Sequence, residues 1–184
     1  MGTMVDEGEK KQFSLPTAGT IRAVCFGVWD LGFQKTTYNG EEKVQRKVML
    51  GFELDEIIDR AGEYHGRRFC VFKTYTATLF EKSNLCKDLE NWRGKAFSEF
   101  ERKGFDLDKL IGVNALLSII HNESKGKTYA NIGSISALPK GMETMKVENG
   151  PTAPEWIVKI QNKAVEVVND GGAASVAHDE PIPF

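Results

Sequence analysis

Between Gly19 and Leu31 apolar side chains fall on alternating positions of an extended chain. Val24, Phe26 and Val28 share one face, and Ile21, Cys25, Trp29 and Leu31 share the other. Two apolar faces predict a strand covered on both sides, or one whose outer face binds a ligand. Gly27 and Gly32 allow a bulge. A turn-rich stretch follows, with Asn39-Gly40 as the hairpin signal. Val44, Val48, Leu50, Phe52 and Leu54 then make one face of a second strand over 44–54. The acidic stretch 55–66 connects it to a third strand over 67–79, rich in Phe, Val, Thr and Tyr.

The period changes at Ser83. Leu85, Leu89 and Trp92 recur at helical spacing, Ser83 is placed to cap the start, and Gly94 to close the end. A second short helix is predicted over 98–103. Strands four (113–121) and five (128–138) are joined by a loop at 122–127. Pro139 and Gly141 break the sheet, and a helix is predicted from Glu155 to about Val168. Strand, strand, strand, helix, strand, strand is the order of an OB-fold, so the expected class is mainly β: a five-stranded Greek-key barrel with a small helical insertion and a C-terminal helix. The expected division is a flexible arm at 1–14, an OB-like domain at 15–140, an extension at 141–168, and a flexible linker with a protein-recruiting tip at 169–184.

Composition fits a soluble chain: of 184 residues, 41% are apolar and 27% charged, and no apolar run approaches a membrane span. The polar opening predicts an arm rather than a leader, which places the protein in the cytoplasm. Cys25, Cys70 and Cys86 are widely spaced and are read as free thiols, without zinc-ligand spacing. The net charge of −2 argues against a polyanion partner until its distribution is considered. Residues 141–184 hold seven acids against three bases, leaving +2 on residues 1–140.

Single-stranded nucleic acid asks for cations along a backbone path and flat rings for bases. In an OB-fold these belong on strands two and three and on the 1–2 and 4–5 loops. Those stretches hold Lys35, Tyr38, Lys43, Arg46 and Lys47, then Lys73 and Tyr75, then Lys125, Lys127 and Tyr129. Trp29 is core or stacking platform. Read blandly, the lysines are ordinary loop charges and the tyrosines ordinary packing. Glu53, Asp55, Glu56 and Asp59 raise a metal-dependent nuclease as an alternative, although phosphate-loop, nucleophile-elbow and dinucleotide motifs are absent. No metal or cofactor is expected.

The chain ends Asp179-Glu180-Pro181-Ile182-Pro183-Phe184 after a Gly/Ala/Ser-rich stretch. The prolines disfavour helix and inner strand, so Ile182 and Phe184 read as a peptide ligand flanked by carboxylates. The tip resembles that of bacterial and phage single-stranded DNA-binding proteins, which end in acids followed by Ile-Pro-Phe and recruit replication and repair enzymes. Asp179, Glu180, Ile182, Pro183 and Phe184 match. Pro181 replaces an acid and His178 dilutes the charge, which weakens binding that relies on acid contacts. The runs 44–48, 81–89, 91–95 and 122–132 (the last reading Asn-Glu-Ser-Lys-Gly-Lys-Thr-Tyr-Ala-Asn-Ile) resemble a tailed-phage family associated with single-stranded DNA binding.

These resemblances imply a non-catalytic single-stranded DNA-binding protein of phage replication, recombination or repair, acting in the bacterial host cytoplasm. Its partners would be the single strand and, through the tip, replication or recombination proteins. No membrane is expected, and a homo-oligomer is left open. The alternative of another class is a protein–protein adaptor or inhibitor that does not touch nucleic acid.

Overall fold

The computed structural model describes residues 14–150 and 152–167. The arm at 1–13 and the tip residues Asp179, Glu180, Ile182, Pro183 and Phe184 lie outside them.

Two long hairpins dominate. β1 (Gly19–Tyr38) turns through Asn39-Gly40 and returns as β2 (Glu41–Ile57). Asn39 and Gly40 both have positive φ (50° and 78°), the backbone that matches strand twist and that Asn-Gly adopts at low cost. The strands therefore continue through the region predicted as a turn-rich loop. Gly32 does not end β1. It shifts the register there, with its N–H donated to the Asp30 carboxylate at 2.9 Å, and pairing then resumes to the tip.

β3 (Arg68–Thr76) pairs with β2. α1 (Asn84–Arg93) starts where Ser83 accepts the N–H of Cys86 and stops at Gly94, φ 79°. α2 (Glu99–Arg102) carries a reciprocal capping box between Ser98 and Glu101, and a single 3-10 turn follows at Leu107–Leu110. β4 (Asn114–Ser124) and β5 (Lys127–Ala137) form the second hairpin. Its turn is only Lys125-Gly126, again with two positive φ values, because Glu123 and Ser124 pair with Thr128 and Lys127. α3 (Glu155–Gln161) is shorter than predicted.

The result is one antiparallel sheet in the order β3-β2-β1-β4-β5. It curls until its edges β3 and β5 approach each other, with α1 packed against both. Inside lie Ala23 and Cys25 of β1, Leu50 and Phe52 of β2, Val71 and Tyr75 of β3, Leu117 and Ile135 of the second hairpin, and Leu85, Leu89 and Trp92 of α1. The Trp92 indole donates to the Asn114 carbonyl at 2.7 Å, so its polar edge is satisfied inside the core.

A second apolar cluster lies on the outer face. A register shift between Cys25 and Gly27 changes which side the following residues face. Phe26 and Trp29, three apart, now share the outer side, with ring centroids 5.5 Å apart. Simple alternation had separated them. Residues 141–150 and 152–167 strap this face, burying Ile157 against Phe26, Trp29, Leu31 and Met49. Both faces of β1 are therefore covered.

Four side chains pin the strap. Arg22 donates to the Glu143 carbonyl and Arg68 to that of Lys146, each at 2.7 Å. The Asn114 amide bonds both the N–H and the C=O of Met145. Glu53, with no exposed surface, accepts the backbone N–H groups of Glu148 and Asn149 and pairs with Arg68 at 3.2 Å.

Candidate nucleic-acid interface

At the first hairpin tip the Tyr38 side chain is 70% exposed, beside exposed Lys35 and Lys43. Register sets Thr36 opposite Lys43 and Lys35 opposite Val44. Neither lysine has an acid partner among the described residues. Arg46, further down β2, is committed differently. It forms an ion pair with Asp30, and its guanidinium holds the Asp30 carboxyl below the usual range.

The second tip repeats the composition. Lys125, Lys127 and Tyr129 are all exposed, Tyr129 at 48%. Pairing places Tyr129 across from Asn122 and Lys127 across from Ser124. The two tips are not one cluster. β4 runs antiparallel to β1 and extends beyond Gly19, while the first tip lies past Tyr38. About twenty-four strand residues separate them, nineteen along β1 and five more along β4 from Ile119 to Ser124, a contour of about 80 Å before curling.

Strands two and three divide along their outer face. Met49, Gly51 and Glu53 of β2 and Cys70 and Phe72 of β3 lie toward the strap. Gln45 and Lys47 of β2, with Thr74 and Thr76 of β3, lie beyond the strap; Thr74 is exposed and the other three are half-buried. The Lys47 ammonium donates to the Gln45 amide oxygen at 3.0 Å and the Thr76 hydroxyl at 2.8 Å. Lys73 donates to Asp88 of α1 at 2.7 Å. These two lysines, with Lys82, line one cleft of about 430 Å³.

Two expected stacking rings are core residues. Tyr75 is 3% exposed, and its hydroxyl donates to Asp88 at 2.7 Å. Burial and the neighbouring carboxylate push its phenol well above the ordinary range. Trp29 is 6% exposed and lies across the backbone at Gly27 and Gly51, where an added Cβ would stand 2.2 and 2.7 Å from the indole. Neither offers a base an open face. Period-2 patterning put both on a strand face, and burial of each face was decided by distant segments. Trp156, by contrast, remains 42% exposed while its ring meets Phe72 edge-on at 4.8 Å. The helix predicted from Glu155 did not single out Trp156; the signal available was an aromatic within three residues of Pro154.

Three of the four acids considered for a metal are otherwise engaged. Glu53 holds the strap, Asp55 pairs with Arg22, and Glu56 accepts the N–H and hydroxyl of Thr17. Among the described residues no group of three His, Cys, Asp or Glu side chains is arranged to hold a metal ion. The three cysteines are free; burial pushes Cys25 up to about 12 and Cys70 to about 11, so neither is an activated thiol. A larger opening of about 610 Å³ sets Asp30, Asp106 and Asp108 against Arg46, Arg102 and Lys103, and so favours neither sign of charge. Among the described residues no helix is long and apolar enough to cross a membrane.

Comparison with known proteins finds no family model that matches the chain and no curated protein that matches its sequence.

Proposed function

We propose that this protein binds single-stranded DNA without catalysing a reaction on it. The observation that carries the reading is the repeat of one chemistry at two separate tips: lysines without acid partners among the described residues beside a tyrosine open to solvent. Lysine answers phosphate, and the ring answers a base. Their separation suits a polymer better than a small ligand. Trp156 adds a third exposed ring beside β3. The sheet order, with α1 between β3 and β4 and the edges curled together, agrees with an OB-type barrel, whose strands 2–3 and 1–2 and 4–5 loops form such a surface. The preference for DNA, and a role in phage replication, recombination or repair, rest on the resemblances of the body and the tip. Phe184 and its neighbouring acids would then recruit a partner enzyme.

Fluorescence anisotropy with labelled oligo-dT and with duplex of equal length, each at several salt concentrations, tests the reading. Binding to the single strand should weaken with salt at a log–log slope of about −0.7 per phosphate contact. No binding to either probe at low salt overturns it.

A further inference from the structure

We propose that the cleft between the end of β3 and the start of α1 is a phosphate site, in which Lys47 and Lys82 hold one phosphate group of a bound strand, while Lys73, paired with Asp88, lines its wall. The inference rests on the single-strand reading and adds to it a locus and a residue, Lys82, that the strand pattern does not single out.

Three lysines and no acid line this cleft. Asp88 is bound to Lys73 and to the Tyr75 hydroxyl, so the charges of Lys47 and Lys82 remain as a positive excess. Lys47 is already held in place. Two of its three N–H groups go to the neutral oxygens of Gln45 and Thr76, leaving one donor and the whole charge for an anion. Lys82 is exposed and has no acid partner among the described residues. The hydroxyls of Thr74, Thr76 and Thr78 add short neutral donors at the wall.

The helix contributes from the other side. α1 is ten residues long, begins at the cleft after Ser83, and has no acid in its first turn. The positive end of its dipole is therefore not neutralised by its own sequence. Ammonium groups, hydroxyls and a helix start on one concave surface form a donor set suited to phosphate oxygens. The volume, about 430 Å³, admits a phosphate with part of its sugar. Such a group could be a backbone diester or a strand's terminal phosphate.

The test is anisotropy binding of oligo-dT bearing a 5′-hydroxyl or a 5′-phosphate, over a salt series, with wild type, Lys82→Gln and Lys95→Gln. Lys95 is an exposed charge just past the far end of α1, about 15 Å along the helix, and so controls for net charge. Lys82→Gln should flatten the log–log salt slope by about 0.7, a loss of about fivefold in affinity at 0.1 M salt against a 1 M reference. Lys95→Gln should change neither. Equal losses on both probes identify a backbone diester, and a loss confined to the phosphorylated probe identifies a strand end; both support the phosphate cleft. If wild type binds and Lys82→Gln behaves like Lys95→Gln on both probes, the cleft proposal is overturned while the single-strand reading stands. If wild type binds neither probe, the single-strand reading itself falls.

Discussion

Replacing Glu53 by Ala removes a carboxylate that has no solvent exposure and three protein donors: the N–H groups of Glu148 and Asn149 and the Arg68 guanidinium. Removing one partner of a buried ion pair costs about 3–5 kcal/mol. The donors give a consistent figure, since hydrogen bonds to a charged group contribute about 1.5–3 kcal/mol each. Arg68 keeps part of its share through the Lys146 carbonyl and the Glu148 carboxylate. Glu53→Gln retains an acceptor and should cost less. A domain of ordinary stability, about 5–15 kcal/mol, survives the loss, so the damage should be local first. Urea denaturation measures the total, and amide exchange at Glu148 and Asn149 measures release of the strap. Release also withdraws Trp156 from Phe72, so oligo-dT affinity should fall by up to one stacking contribution, about 1–3 kcal/mol, with the salt slope unchanged. A Glu53→Ala variant within about 1 kcal/mol of wild type, or one whose two amides keep their protection, refutes the assignment of Glu53 as the strap's anchor.

Tyr38→Ala and Tyr129→Ala should each weaken oligo-dT binding by about 1–3 kcal/mol without lowering the melting temperature, because both rings are largely solvated; unchanged affinity removes that ring from the interface. Gly51→Ala drives a Cβ to 2.7 Å from the Trp29 ring and should destabilise by about 1–3 kcal/mol in thermal denaturation, as overpacking does; a neutral result would show that the indole can move aside. The Arg93 guanidinium, then the Ser98 N–H, hold Glu101 at about 2 rather than its ordinary 4.5. Its folded pKa lies below the unfolded value, so this stabilisation is complete above about 4.5 and is lost as pH falls through about 2. Acid titration of stability should show that decline, and Glu101→Gln should remove its share of the slope.

Local chemistry determined much of this fold. Asn39-Gly40 specified a tight hairpin, Ser83 and Gly94 bounded α1, and Ser98 with Glu101 wrote a capping box, because in each case the interacting groups are a few residues apart. The exposed lysines and tyrosines at both tips were legible for the same reason: a hairpin turn in this chain has nothing to pack against. Burial was different. A period-2 pattern says that a strand face is apolar, but not what covers it. The outer face of β1 is covered by α3, whose Gln161 bonds the Asp30 carbonyl across 131 positions. That contact, with the register shift at Cys25/Gly27, made Trp29 a core residue rather than a platform. Tyr75 was lost to the core through Asp88, thirteen residues on and in a different element. The same tertiary step turned Glu53 from a candidate metal ligand into the strap's anchor, and it gathered Lys47, Lys73 and Lys82 from three separate stretches into one cleft. Sequence neighbours fixed turns and caps; which faces closed and which charges met depended on contacts that exist only once the sheet has curled and the strap has closed over it.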